Sequence, residues 1–154
     1  MTEQSSDRIE KQVVLNAPRA RVWRSLATSA EFGKWFGVNF TSDFTPGARV
    51  SGKLTHKQYE HITLEIIIEK LEPEQRFSFR WHPFAIEEGV DYSAEPTTLV
   101  EFTLEDAPGG TLLKVVESGF DRIPASRRAR AFEMNAKGWA GQLVAIGKYL
   151  GAPA

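Results

Sequence analysis

Apolar residues recur along this chain with two different periods, and the change from one to the other outlines the fold. Toward the end the period is helical. Phe132, Ala136, Trp139, Leu143, Ile146 and Leu150 are spaced in alternating steps of four and three, which places them on one helix face. Arg130, Glu133, Lys137 and Lys148 fall on the other. The pattern predicts one long helix over residues 124–150, with Trp139 buried and Gly138 and Gly141 permitting close approach to the surface it packs on. Upstream the period is two. Ile9, Lys11, Val13 and Leu15 alternate with polar positions in a first strand. Val14 breaks the alternation, which implies that both faces are partly covered. Further strands are predicted at 38–42, 48–55, 62–72, 76–82, 97–105 and 111–118, with turns at Pro46-Gly47, Glu72-Pro73 and Ala107–Gly110. Between the first strand and the rest, Pro18 opens a helix that buries Val22, Trp23 and Leu26. Thr28 and Glu31 have the spacing of a capping box, so a second short helix follows to about Trp35 and ends at Gly37.

Strands joined by short turns form an antiparallel meander, whose connections alternate between the two ends of the sheet. The turns near Pro46, Pro73 and Pro108 share one end. The other end gathers residues 56–61, the long segment 83–96 and the link 118–124 into the final helix. Long connections commonly carry function, so a pocket mouth is expected there, with segment 83–96 bordering it or forming an oligomer contact. Period two also assigns faces. Phe77, Phe79 and Trp81 share one face, and Leu64, Ile66 and Ile68 match them across a turn at Glu72–Gln75 that sets Ile66 opposite Trp81. Val100, Phe102 and Leu104 meet Leu113, Val115 and, in the same register, Glu117. A carboxylate beside apolar groups must be hydrogen-bonded, paired or protonated. Glu117 is therefore the candidate polar anchor or general acid/base.

Composition narrows the classes. The chain has 154 residues, 42% hydrophobic and 25% charged, with a net charge of -1 and no cysteine. One domain over 8–151 with a full core is expected, after a disordered polar segment at 1–7. Near-neutral charge argues against a nucleic-acid partner or an anionic membrane surface. The missing cysteines exclude disulfides, thiolate metal sites and Cys nucleophiles. Nothing reads as a signal peptide or a membrane span, so a cytoplasmic protein is expected. His56, His61 and His82 lie near the expected mouth, but without metal-ligand spacing, and His61 and His82 fall on the outer face. No metal and no cofactor are expected. Arg127, Arg128 and Arg130 read as a solvated face. Trp35, Phe36, Phe40, Phe79, Trp81, Phe132 and Trp139, with Val100, Phe102 and Val115, are the candidate pocket lining. Glu117 and Asn135 are its polar contacts.

The order β-α-α-β6-α, with the segments NAPRARVWRSLA, KWF, PGARVSGKL, FSFRWHP, VVESGF and GWAGQLVAIGKYL, resembles the START-like helix-grip superfamily (SRPBCC). The branch it resembles is named after the activator of the heat-shock-protein-90 ATPase. The most specific pieces are APxxxVW with the following WF, and the closing GWxxxLxxxxxYL. The resemblance implies an α+β fold, a curved antiparallel sheet wrapped around the long C-terminal helix with an internal hydrophobic cavity. Three functions are then in view. The first is binding of a small hydrophobic or amphipathic ligand. The second is a cyclase- or hydrolase-type enzyme that uses Glu117. The third is a chaperone-associated interaction module with a stress-response role. The chain reads as lacking the separate N-terminal chaperone-binding domain of the eukaryotic activators, which weakens the third. Oligomeric state is not written in the sequence, and a homodimer is carried as an expectation.

Overall fold

The computed structural model describes residues 7–83 and 91–151. The expected terminal segment, apart from Asp7, and residues 84–90 of the long connection lie outside the described residues. Asp7 is tied down, because its carbonyl accepts the Gly119 and Phe120 N–H groups at 3.0 and 3.2 Å.

The order is β1 (Arg8–Leu15), α1 (Arg19–Ala27), α2 (Ser29–Phe36), β2 (Val38–Phe40), β3 (Arg49–Leu54), β4 (Thr63–Glu72), β5 (Arg76–Trp81), β6 (Thr98–Ala107), β7 (Gly110–Ser118) and α3 (Ala125–Gly151). The strands form one antiparallel sheet in the order β1-β7-β6-β5-β4-β3-β2. The meander thus runs from β2 to β7, and β1 closes the far side against β7. The helices share one face of this sheet. Trp139, Leu143 and Ile146 of α3 are buried there with Val22 and Leu26 of α1 and Phe32 of α2. Phe32 is the hub of the aromatic core, with ring centroids 4.7–6.5 Å from Trp35, Phe36, Phe40, Phe44, Phe77, Phe79 and Phe102. Rings at these separations attract beyond the area they bury.

Period two assigns the inner face of the last hairpin correctly. Val100 pairs with Glu117, Phe102 with Val115 and Leu104 with Leu113. The β4–β5 hairpin is built differently from expectation. Glu72 pairs with Arg76, which leaves a turn of Pro73, Glu74 and Gln75 with Glu74 left-handed at φ 61°. A bulge between Ile68 and Lys70 then shifts the pairing, so that Ile68 meets Phe79 and Ile67 meets Arg80. The bulge lets both Leu71 and Ile68 face inward although they are three residues apart. It also returns Trp81 to its expected phase.

Three further expectations are corrected. Val14 is 52% exposed, so the outer face of the edge strand β1 is uncovered. A Cβ on Gly138 or Gly141 would meet no atom within 4 Å, so α3 approaches the sheet without their help. Thr28 precedes α2, but its side chain makes no capping hydrogen bond; Glu31 serves other partners, described below. Gly37 does end α2, at φ 97°, with its N–H on the Gly33 carbonyl at 2.9 Å. In the interior, Phe77, Phe79, Val100, Phe102, Leu113 and Val115 are fully buried.

Candidate functional site

The site is built around Glu117. Strand β7 delivers its carboxylate to the inner face, and the side chain is fully buried. Four side chains donate to it. Trp139 Nε1 reaches Oε1 at 2.8 Å. Trp81 Nε1 and Thr98 Oγ1 reach Oε2 at 2.7 and 2.6 Å. Asn135 Nδ2 bridges both oxygens at 3.0 and 3.2 Å. No Lys, Arg or His is paired with it among the described residues. Three N–H donors and one hydroxyl converge on it, and a carboxylate can accept from all four. Register explains the gathering: Trp81 pairs with Thr98, and Thr98 lies on the inner face two residues before Val100, the partner of Glu117. Asn135 and Trp139 are one turn apart on α3 and project to the same place.

In front of this cluster lies a pocket of about 140 Å³, lined by Phe36, Trp81, Asn135, Gly138, Trp139 and Gln142. It sits where β5 ends and α2 gives way to β2, the end of the sheet that holds the long connections. Trp81 and Trp139 stack at 5.7 Å and 28°. Phe36 stands 6.0 and 6.1 Å from those two rings. Gln142 donates from Nε2 to the Phe36 carbonyl at 3.0 Å, joining α3 to the end of α2.

The candidate residues therefore separate. Phe36, Trp81, Asn135 and Trp139 line the pocket, and Glu117 backs it. Phe79, Val100, Phe102 and Val115 are closed core. Trp35 is core as well, its N–H held by the Ser25 carbonyl at 2.8 Å. Phe40 packs on Phe32 and Phe44, away from the pocket lining. Phe132 packs against Phe120 at 5.2 Å. Thr98, Gly138 and Gln142 were not anticipated. Parity with Val100 and Phe102 signals Thr98. The positions 135, 138, 139 and 142 are the i, i+3, i+4, i+7 set of one helix face, which signals the other two.

Arg127 also departs from the solvated reading. Its guanidinium holds Glu95 Oε1 at 2.6–2.8 Å and the Pro83 carbonyl at 2.9 Å, and lies 4.8 Å from the Tyr92 ring centroid. The start of α3 thus grips both described ends of the long connection. His82 Nε2 lies 3.1 Å from the Glu95 carbonyl, in the same connection. Among the described residues, no group of His, Cys, Asp or Glu side chains is gathered as for a metal ion.

A second polar cluster joins the helices. Glu31 receives Arg21 at 2.7 Å, Arg24 at 3.0 Å and the Tyr149 hydroxyl at 2.8 Å. Desolvation opposes the charged carboxylate, but the hydrogen bonds from Tyr149 and Arg21 and the charges of Arg21 and Arg24 outweigh it. Its carboxyl is held below the ordinary range. Desolvation and the bond to Glu31 push the Tyr149 phenol upward.

The family model described as activator of Hsp90 ATPase homolog 1-like protein matches residues 16–151. No curated protein matches the chain significantly. Solved structures share the fold. A Mesorhizobium loti protein is 21% identical with a TM-score of 0.73, the match covering 93% of this chain and 96% of that one. An Arthrobacter aurescens protein is 18% identical with a TM-score of 0.76, over 99% and 91% of the two chains. The Aha1 dimer from Colwellia psychrerythraea is 15% identical with a TM-score of 0.69, over 93% and 95%. Among the described residues, no helix is long and apolar enough to cross a membrane.

Proposed function

The chain belongs to the activator of Hsp90 ATPase homolog 1-like family, and we propose that it binds a small apolar or amphipathic ligand in the pocket between α2, the end of β5 and α3. One observation carries this reading: three aromatic rings and two amide side chains converge on an opening of about 140 Å³ beside the buried aromatic core. Apolar walls with few polar groups are the usual make-up of a ligand site. The volume suits a single ring or a short branched chain, since an apolar cavity of about 150 Å³ holds benzene. Glu117 is assigned to the scaffold. A carboxylate offers about four lone-pair sites, and Trp81, Thr98, Asn135 and Trp139 occupy them. An acid/base role would require one of these donors to leave.

Titration with hexanol, followed through the indole N–H resonances of Trp81 and Trp139, tests the reading. Both resonances should shift in a saturable way, and Gly138→Leu should abolish the response. Gly138 lines the pocket, and a Cβ there would meet no atom within 4 Å, so a larger side chain at this position is expected to occupy the opening. Absence of any saturable shift at Trp81 and Trp139 would remove the pocket as a ligand site.

A homodimer is a second proposal. A neighbour of the same fold is an Aha1 dimer, and Val14 and Val144 of this chain are large apolar residues 52% and 57% exposed. Light scattering across a concentration series distinguishes a dimer from a monomer.

A further inference from the structure

We infer that the pocket takes an organic cation, an alkylammonium group carried on a small apolar body. The inference rests on the pocket being a ligand site and adds the chemistry of its occupant. The argument is an account of donors and acceptors. The indole N–H groups of Trp81 and Trp139 both point to Glu117. The Asn135 amide donates to Glu117, and the Gln142 amide donates to the Phe36 carbonyl. Both amides face pure acceptors, which fixes which end is nitrogen. Their carbonyl oxygens, Asn135 Oδ1 and Gln142 Oε1, are left without a protein hydrogen bond among the described residues. The lining thus offers two amide oxygens and three aromatic rings; both indole N–H groups are turned to Glu117, and Gln142 keeps a second N–H beyond its bond to the Phe36 carbonyl.

Ring faces are negative and attract cations, Trp most strongly. Here both indoles donate to the Glu117 carboxylate, which sits at the N–H edge of each ring. Among the described residues, Glu117 has no cationic partner to cancel its field. In a water-poor interior that field is weakly screened. A neutral apolar ligand gains only burial in this pocket. An anion is repelled. An ammonium gains the ring faces, the Asn135 and Gln142 carbonyls and the field of Glu117 together.

The test is a ligand series on the wild-type protein at neutral pH: benzylammonium, benzyl alcohol and benzoate. These share a ring of suitable size and differ in charge. The Trp81 and Trp139 indole resonances give each Kd. Benzylammonium should bind about tenfold tighter than benzyl alcohol or better, and benzoate should bind weakest. Equal or tighter binding of the alcohol, still shifting both indoles, overturns the cation inference and leaves the ligand site standing. Tightest binding by benzoate does the same. No shift with any of the three overturns both. Gly138→Leu should abolish binding of benzylammonium, and unchanged affinity in that variant would place the cation elsewhere and overturn the inference. In Glu117→Gln, the preference for benzylammonium over the alcohol should fall toward unity, and a folded variant that keeps the full preference refutes the contribution of Glu117. If that variant does not fold, the wild-type series decides alone.

Discussion

Replacing Glu117 by Gln sets two effects of opposite sign against each other. Burying a charge is expensive, so neutralising a buried carboxylate can stabilise a protein. Removing an acceptor from buried donors destabilises it by about 1–3 kcal/mol for each group left unsatisfied. The geometry decides which effect prevails. If the new amide nitrogen replaces Oε1, it faces the Trp139 indole, which is orphaned, and has no acceptor of its own, while Asn135 keeps its bond to the other oxygen. If it replaces Oε2, it faces Thr98 and the Trp81 indole. Thr98 can rotate and accept, because a hydroxyl is both donor and acceptor. The second orientation therefore wins, with Trp81 Nε1 the one clear loss. The bonds that survive also lose their charge assistance. We expect Glu117→Gln to destabilise the fold by about 2–4 kcal/mol, measured as the shift in urea midpoint at constant slope. Trp81→Phe removes a donor and orphans nothing, so it should cost less. The double variant should be more stable than additivity predicts by about 1–2 kcal/mol, because the clash between amide and indole is gone. A Glu117→Gln protein as stable as wild type, or more stable, would refute the reasoning, since charge burial would then outweigh the donor set.

Trp139→Ala removes a buried ring stacked on Trp81 and edge-on to Phe102 and should cost about 3–5 kcal/mol; a loss under about 1 kcal/mol in urea would put Trp139 outside the core. Glu31 has a folded carboxyl value below the unfolded one of about 4.5. Its contribution is therefore present above that pH and lost as pH falls through the folded value; Glu31→Gln should flatten the acid limb of the stability profile, and an unchanged limb would contradict the cluster. Arg127→Ala should speed amide exchange in residues 91–96 while changing global stability by less than about 1 kcal/mol, as a partly exposed ion pair implies; unchanged exchange would show that Arg127 does not hold the connection.

Much of the architecture was legible because period and parity are local. The steps of four and three that end in Leu150 placed α3 within one residue at either end. The turn at Pro108–Gly110 fixed the register that carries Glu117 inward. Gly110 is needed there: at φ 147° its Cα stands against the Leu15 carbonyl, where a Cβ would collide. What failed to show depended on neighbours from distant elements. Glu31 has the spacing of a local cap, yet Tyr149, more than a hundred residues away, and the two arginines of α1 claim it. The bulge in β4 is invisible to parity, because a run of Ile66, Ile67 and Ile68 fits either phase. Aromatic density suggested a pocket lined by Phe79 and Phe102, but Phe32 packs on both and Phe44 stacks on Phe77. Whether a cluster of rings encloses a void or packs on itself depends on volumes that no single strand reveals.

The character of the pocket follows from how the fold buries one charge. With no cation beside it among the described residues, Glu117 is held inside by dipoles, and each donor brought to it comes with a constraint. Trp81 must turn its N–H inward and so offers its ring face sideways. Trp139 does the same from α3, and the two rings stack. Asn135 spends its amide nitrogen on the carboxylate, and its oxygen has no protein hydrogen bond among the described residues. Gly138, between these two on the helix, adds no side chain to close the gap. An arginine at position 135 would satisfy Glu117 as well or better, but it would cancel the field and block the opening. The dipolar solution is thus the one that leaves an electron-rich, unfilled site, and it makes ligand preference and core stability two readouts of the same four hydrogen-bonding side chains.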